Sequence, residues 1–327
     1  MRAVLASLRD GFRSLRFNWG LVGVVLVTNL ALALVLAVPL AFQLEAELEH
    51  KGAASAMMYG FDYDWWSLWS ERQQGPESAL GPDLLGGGFA LKNLDLLLKG
   101  WLPAGLFATS SGKSPVDPLV LGLGVVYLVV QAFLTGGLLA VFRRPLGGWT
   151  LRGLLHGSGF YFGRMLRLSL LALATAFVVF ALNSPFARLV DGLAREAVSE
   201  RTALGLTLGR YALLLAALLL VHMVFSHARV LVVREERLSA VLATLSSLGF
   251  CLRRLGAAAG QYALAVAAAA ALLALFTLAD SWLAVVGFRT QLLALVLFEA
   301  FVAARIAIRL WLLASQLELQ QALARRP

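Results

Sequence analysis

Six long apolar segments, separated by polar connections, dominate the hydropathy pattern of this chain. They cover residues 19–42, 118–142, 167–183, 205–226, 256–279 and 285–304. An apolar helix of about 20 residues crosses the roughly 30 Å of hydrocarbon in a bilayer. A chain inside hydrocarbon must satisfy its own backbone hydrogen bonds, and a helix does so within itself. The pattern therefore predicts an all-α, polytopic membrane protein with six transmembrane helices.

Composition strengthens this prediction. Of the 327 residues, 60% are hydrophobic and 14% are charged, and the mean hydropathy is +0.79. A soluble domain of this length has a much larger charged fraction, about one quarter. The first apolar segment is too long for a signal peptide and lacks a suitable cleavage site, so we interpret it as a retained span. The single cysteine, Cys251, excludes an internal disulfide and a cysteine-based metal cluster.

Arginine residues are concentrated on alternate connections between the spans. With the N-terminus inside, the inside segments contain 18 arginines and 4 acidic residues, whereas the outside segments contain 9 basic and 14 acidic residues. Basic residues gather on the cytoplasmic flanks of membrane spans. The asymmetry predicts an N-in, C-in topology in a bacterial cytoplasmic (inner) membrane. It also accounts for the net charge of +9 without a nucleic-acid partner.

A short phrase occurs three times, in which Gly-Phe is followed by arginine four residues after the phenylalanine. It begins at Gly11, Gly159 and Gly249, each time ahead of an apolar segment. We predict three hairpins, each preceded by an amphipathic interfacial helix in which glycine permits a turn or a close approach. The predicted cytoplasmic interfacial helices of the second and third hairpins are 143–166 and 234–255. Their arginines should meet lipid headgroups, and these candidates are Arg16, Arg164, Arg167, Arg253 and Arg254.

The phrases and the hydropathy of residues 118–315 resemble those of uncharacterised bacterial six-span proteins with interfacial helices before their hairpins. They are also similar to the membrane domain of some glycerophosphodiester phosphodiesterases. The resemblance implies the architecture alone, because no catalytic motif is shared and the chain has no room for the phosphodiesterase barrel.

The connection at residues 43–117 is too long for a simple loop and is predicted to form an extracytoplasmic cap. Its stretch YGFDYDWWSLWSE combines aromatic rings with acidic groups. These aromatic residues could seat the cap at the membrane interface, or they could form a surface for a partner protein. The candidate partner-binding residues are Asp62, Asp64, Trp65, Trp66 and Trp69.

Few ionisable residues lie within the apolar segments. His222 and Glu299 fall at similar depth in two spans, and Arg305 follows six residues after Glu299. Because a charge in hydrocarbon is expensive unless it is paired, we predict a polar pair among these three residues. Two interpretations stay open, a structural pair or a proton-coupled site.

Three other polar residues have simpler predicted roles. Asn29 and Gln261 are predicted to hydrogen-bond to neighbouring spans. His227, close to the end of the fourth span, is expected to be solvated.

Motifs for catalysis are not found in the sequence: no phosphate-binding glycine-rich loop, zinc-protease motif, serine-hydrolase motif or carboxylate pair within a span. We therefore predict no enzyme activity, no cofactor and no metal. The favoured function is a non-catalytic membrane subunit or scaffold. It would bind anionic lipid on its inner face and a partner protein through the cap. The predicted partner is another membrane protein, or the chain forms a homo-oligomer. The alternative is a small transporter or a lipid-handling permease with a polar site near His222 and Glu299.

Overall fold

The computed structural model describes residues 2–48, 62–72, 118–144, 148–283 and 287–324. Within these ranges the regular structure is entirely α-helical. Six of the helices are long and apolar enough to cross a membrane. The prediction of an all-α, multi-pass membrane protein with six transmembrane helices is therefore confirmed.

The helices follow one another with short connections wherever both ends are described. They are α1 (Arg2–Phe17), α2 (Gly20–Leu48), α3 (Tyr63–Arg72), α4 (Pro118–Phe142), α5 (Leu151–Glu196), α6 (Glu200–Glu235), α7 (Ala240–Arg253), α8 (Leu255–Ser281) and α9 (Phe288–Ala324). The candidates for membrane spans are α2, α4, α5, α6, α8 and α9. Residues 43–48 of the predicted cap belong to the end of α2, and Asp62 and α3 lie in the cap; the rest of the cap falls outside the described residues.

The predicted interfacial helix at 143–166 is wrong as a separate element. From Leu151 onward its residues are the first turns of α5, which continues without interruption to Glu196. At 1.5 Å per residue, α5 is about 69 Å long, more than twice the thickness of the hydrocarbon layer. By contrast, α1 and α7 are separate helices, each followed closely by a long apolar helix. The predicted segment 234–255 contains α7, but its first residues belong to the end of α6.

The long helices pack closely at one end of the bundle only. We call this the packed end, and most buried residues lie there: 4–15 of α1, 134–142 of α4, 154–168 of α5, 223–233 of α6, 243–251 of α7, 258–262 of α8 and 306–320 of α9. The other end, the open end, comprises residues 27–42, 118–128, 173–196, 200–219, 264–281 and 288–300. Here apolar side chains are exposed, such as Leu182 (67%), Leu204 (59%) and Leu275 (65%). This exposure suits a helix surface that faces lipid chains, which are as apolar as leucine.

Close approach of α4 and α5 depends on glycine. These two helices form the most extensive pairing in the described chain. A Cβ atom added at Gly157 would lie 2.7 Å from Ala140 Cβ and 3.3 Å from Gly137 Cα. Since no side chain fits at this contact, Gly137 and Gly157 permit the two helix backbones to approach each other. The most extensive pairing thus joins α4 and α5, which belong to two different predicted hairpins.

The three repeated glycines do not share one role. A Cβ atom at Gly11 would lie 2.6 Å from Ser315 N and 2.7 Å from Ser315 Cα, so Gly11 permits close contact between α1 and α9. Gly159 and Gly249 lie inside helices, and an added Cβ atom would meet nothing within 4 Å. The prediction of a turn or a close approach is therefore wrong for these two copies.

Candidate functional site

A chain of hydrogen bonds, which is partly buried at His222 and fully buried at Gln316, crosses the packed end between α6, α8 and α9. The hydroxyl group of Tyr262 lies 2.7 Å from Nδ1 of His222. The hydroxyl groups of Ser226 and Tyr262 lie beside the Gln316 amide, and Ser226 donates to Gln316 Oε1 over 2.7 Å. Ser226 and Gln316 are almost fully buried. Polar side chains therefore connect three helices in an interior that is otherwise apolar.

A second buried pair lies one turn nearer the ends of α6 and α9. The Gln320 amide nitrogen lies 3.1 Å from His227 Nδ1, and it donates to the carbonyl oxygen of His227 over 3.2 Å. His227 is fully buried, so the expectation that it is solvated is wrong. His227 Nε2, Gln316 Nε2 and Gln320 Oε1 have no hydrogen-bond partner among the described residues. Complementary unpaired donors and acceptors suit ordered water molecules at these positions.

The predicted polar pair among His222, Glu299 and Arg305 does not form. His222 bonds to Tyr262 instead, and Glu299, which is half-buried, has no hydrogen bond or ion pair with His222 or Arg305 in the described residues. Arg305 is exposed. The sequence placed His222 and Glu299 at similar depth, but depth does not determine which face of a helix meets which neighbour.

His222 does line a cleft of the bundle. This cleft, of about 750 Å³, lies between α4, α5, α6 and α9. Most of its wall is apolar, formed by residues such as Leu128, Leu173, Leu215 and Leu219. We refer to it below as the cleft.

Two arginines also line the cleft, Arg229 of α6 and Arg309 of α9. Their positive charges repel each other. No acidic residue lines the cleft within the described part of the chain, and no hydrogen bond or ion pair to either guanidinium is present there. Arg210 of α6 contrasts with them, since it pairs with Asp191 over 2.8 Å. Sequence reasoning missed the cleft arginines because it counted both with the basic flanks of the spans.

A second recess at the packed end is strongly basic. It has a volume of about 650 Å³ and is lined by Arg234, Arg253 and Arg254, together with Phe250 and Gln320. Arg253 and Arg254 are exposed, and no ion pair to either is present among the described residues. We refer to this region as the basic recess. Two of the predicted lipid-headgroup arginines therefore lie together in a concave surface.

The other predicted headgroup arginines differ among themselves. Arg16 and Arg167 are exposed. Arg164 is half-buried, lies 5.1 Å from the ring centroid of Phe160 and donates to the carbonyl oxygen of Glu236 over 3.2 Å. Thus Arg164 stabilises the packed end, a role that the sequence did not predict for it.

The corner between α6 and α7 explains this role. Glu236 has a positive φ of 53°, a left-handed conformation that is uncommon for residues other than glycine. Its carboxylate accepts from Arg143 over 2.8 Å, and this hydrogen bond raises the pKa of Arg143 above its usual value. Two arginines therefore hold the corner in place. Nearby in α7, burial raises the pKa of the Cys251 thiol to about 11.

The candidate partner-binding residues of the cap have mixed surroundings. Asp62 caps α3, because its Oδ1 accepts from the backbone N–H of Trp65 over 3.0 Å. Trp65 stacks on Trp69 with 5.5 Å between ring centroids, and Trp69 is buried. Asp64 is exposed and Trp66 is half-buried. Of these five residues, Asp62 and Trp69 therefore have local structural roles.

Comparison with protein-family models, curated proteins and solved structures finds no match to this chain. The resemblance to the membrane domain of glycerophosphodiester phosphodiesterases stays a prediction. Among the described residues, no three His, Cys, Asp or Glu side chains are placed to hold a metal ion.

Proposed function

We propose that this membrane protein is a non-catalytic subunit or scaffold that binds anionic lipid at its packed end. The observation that carries the proposal is the basic recess, where the exposed Arg253 and Arg254 line one concave surface beside Arg234. Arg234 pairs with Glu235, so the charge available to lipid is that of Arg253 and Arg254. Basic side chains near a membrane surface attract acidic lipid headgroups, each contributing about 1 kcal/mol. The same proposal includes a partner protein that binds the cap. The partner is another membrane protein, or the chain forms a homo-oligomer.

The proposal includes the orientation of the bundle. The packed end would face the cytoplasm of a bacterial cell, because the arginine-rich connections begin and end there. In this orientation the basic recess meets the inner leaflet, to which anionic lipids give a negative surface potential.

The test uses the full chain in nanodiscs of phosphatidylglycerol and phosphatidylcholine, with retained lipids counted by native mass spectrometry. The Arg253→Gln/Arg254→Gln variant should lose up to about 30-fold of the preference for phosphatidylglycerol. The matched control is Arg195→Gln/Arg201→Gln, which removes two exposed arginines near the α5–α6 connection; its preference should stay close to that of the wild type. A wild-type protein without any preference for phosphatidylglycerol would refute the proposal.

The second candidate function is a small transporter or a lipid-handling permease. One observation favours it, namely that His222 lines a large cleft within the bundle. Glu299 is not part of that cleft lining, which weakens the proton-coupled form of this candidate. Flux of lipid or solute in proteoliposomes discriminates the two functions, because a scaffold catalyses no flux.

A further inference from the structure

The cleft combines two features that rarely occur together in a membrane span: long apolar walls and two cationic side chains with no acidic partner. Arg229 and Arg309 line it from α6 and α9, and His222 lies two turns of α6 away from Arg229. We propose that the cleft binds one anionic phospholipid, whose phosphate is held by Arg229 and Arg309 and whose acyl chain lies along the apolar wall. This inference deepens the proposed function and rests on it, since it names a specific lipid site separate from the basic recess.

The charge of the cleft is the first argument. Two cations that lie close together repel each other, and this repulsion is unfavourable unless a counter-charge is present. Arg210 has a counter-charge in Asp191, at 2.8 Å. Arg229 is half-buried and Arg309 is exposed; the two repel each other in a cleft without an acidic residue among its described lining. An anion that enters from outside the chain would attract both guanidinium groups and offset their mutual repulsion.

The geometry of the guanidinium group is the second argument. Its planar set of N–H donors matches phosphate oxygens, and two such groups on different helices can hold one phosphate from two sides. A cationic ligand is excluded by the same charges.

The shape of the cleft selects an amphiphile over a small soluble anion. Along α6, the lining runs from Leu215 to Arg229, which is about 21 Å at 1.5 Å per residue. The residues on the open-end side of this stretch are apolar, including Leu215, Leu218 and Leu219. One leaflet of hydrocarbon is about 15 Å thick. The phosphate would therefore lie at the packed end, near the depth of the lipid headgroups, and the acyl chain would extend toward the middle of the bilayer.

The experiment measures whether one lipid stays bound when the surrounding lipid is removed. The wild-type chain, reconstituted with phosphatidylglycerol and phosphatidylcholine, is extracted into a neutral maltoside detergent and analysed by native mass spectrometry. We expect one phosphatidylglycerol molecule per chain. Arg229→Gln/Arg309→Gln should reduce its occupancy by more than about 10-fold, because charge-assisted hydrogen bonds are lost.

Two further variants separate the possible causes. Leu219→Trp keeps both arginines but fills the apolar wall, and it should also reduce occupancy; it decides the question if the double arginine variant fails to fold. Arg253→Gln/Arg254→Gln, in the basic recess, should keep the retained lipid while losing the general preference for phosphatidylglycerol. Phosphatidylcholine bound equally well, or displacement of the lipid by inorganic phosphate alone, would overturn the assignment of an anionic phospholipid.

The outcomes for the two proposals differ. If the lipid persists in both Arg229→Gln/Arg309→Gln and Leu219→Trp, the cleft site is refuted, and a preference that depends on Arg253 and Arg254 would leave the proposed function intact. If the retained lipid depends on the cleft but the wild type has no general preference for phosphatidylglycerol, the proposed role of the basic recess is refuted and the cleft site stands.

Discussion

The packed end and the open end are built from the same helices but by different rules. In α6, nearly every residue from Met223 to Val233 is buried, whereas leucines such as Leu204, Leu208 and Leu213, nearer its N-terminus, are more than half exposed. Lipid chains cover apolar side chains at no cost, so the open end needs little contact between helices. The packed end contains the buried glutamines, most of the buried serines and the buried His227, which must find partners on other helices. Polar contacts and glycine contacts, rather than apolar burial, therefore specify which helices meet.

Charge follows the same division. At the open end Arg210 has Asp191 as a partner. Toward the packed end, Arg229 and Arg309 have no acidic partner in the described residues. The charge of Arg210 is therefore balanced within the protein, whereas the charges of Arg229 and Arg309 stay available to a ligand.

The largest expected effect concerns which end faces which side of the membrane. In a Cys251→Ala background, Ser199→Cys lies in the connection between α5 and α6, and Gly148→Cys lies between α4 and α5. Both positions are exposed. An impermeant maleimide should label Ser199→Cys in intact cells, and it should label Gly148→Cys only after the membrane is opened. The opposite pattern would reverse the orientation that we propose for the two ends.

A smaller but substantial effect is expected from adding one methyl group to α4. Gly137→Ala places a Cβ atom against the carbonyl oxygen of Leu154 and the hydroxyl oxygen of Ser158, so α4 and α5 must move apart, which should cost about 3 kcal/mol. The matched control, Gly122→Ala, lies on the same helix at the open end, where the added atom meets nothing within 4 Å. It should be neutral or stabilising by up to about 1 kcal/mol. Unfolding by SDS in mixed micelles measures both, and equal changes would show that glycine contacts do not distinguish the ends.

Hydropathy alone was enough to predict the number and the approximate position of the spans, because length and apolarity determine what can cross hydrocarbon. The boundaries were less predictable. Residues 151–166 form one continuous helix with the span that follows, because no proline or other strong helix breaker separates them from it. Gly159 and Gly163 are tolerated within this helix. Sequence therefore gives the spans better than it gives the ends of the long helices.

The site was harder to predict, because its residues come together through the rotation of each helix about its own axis. Tyr262 contacts His222 across 40 residues, and Gln320 contacts His227 across 93 residues. Neither partner follows from local spacing. Arg229 and Arg309 were counted as flanking charges, because the sequence does not distinguish an arginine that lines a cleft from one that flanks a span.

The smallest expected effect concerns two polar contacts between helices, those of Gln261 and Asn29. Both residues were predicted to hydrogen-bond to neighbouring helices, and the structure confirms both predictions. Gln261 is fully buried, and its Nε2 donates to Ser7 Oγ over 2.8 Å and to the Ser315 carbonyl oxygen over 2.9 Å, which connects α8 to α1 and α9. Asn29 accepts one hydrogen bond from Gln131 over 3.0 Å, in a half-buried contact between α2 and α4.

Gln261→Leu should destabilise the protein by about 2 kcal/mol, because the Ser7 hydroxyl and the Ser315 carbonyl oxygen each lose a buried donor and α8 loses its polar contacts with α1 and α9. Asn29→Leu should cost only about 0.6 kcal/mol, the average for one hydrogen bond between membrane helices, since Gln131 is half-buried and lines the cleft. The midpoint of unfolding in SDS mixed micelles measures both variants. If Asn29→Leu costs as much as Gln261→Leu, the open end is held by polar contacts as strongly as the packed end, and the contrast between the two ends fails.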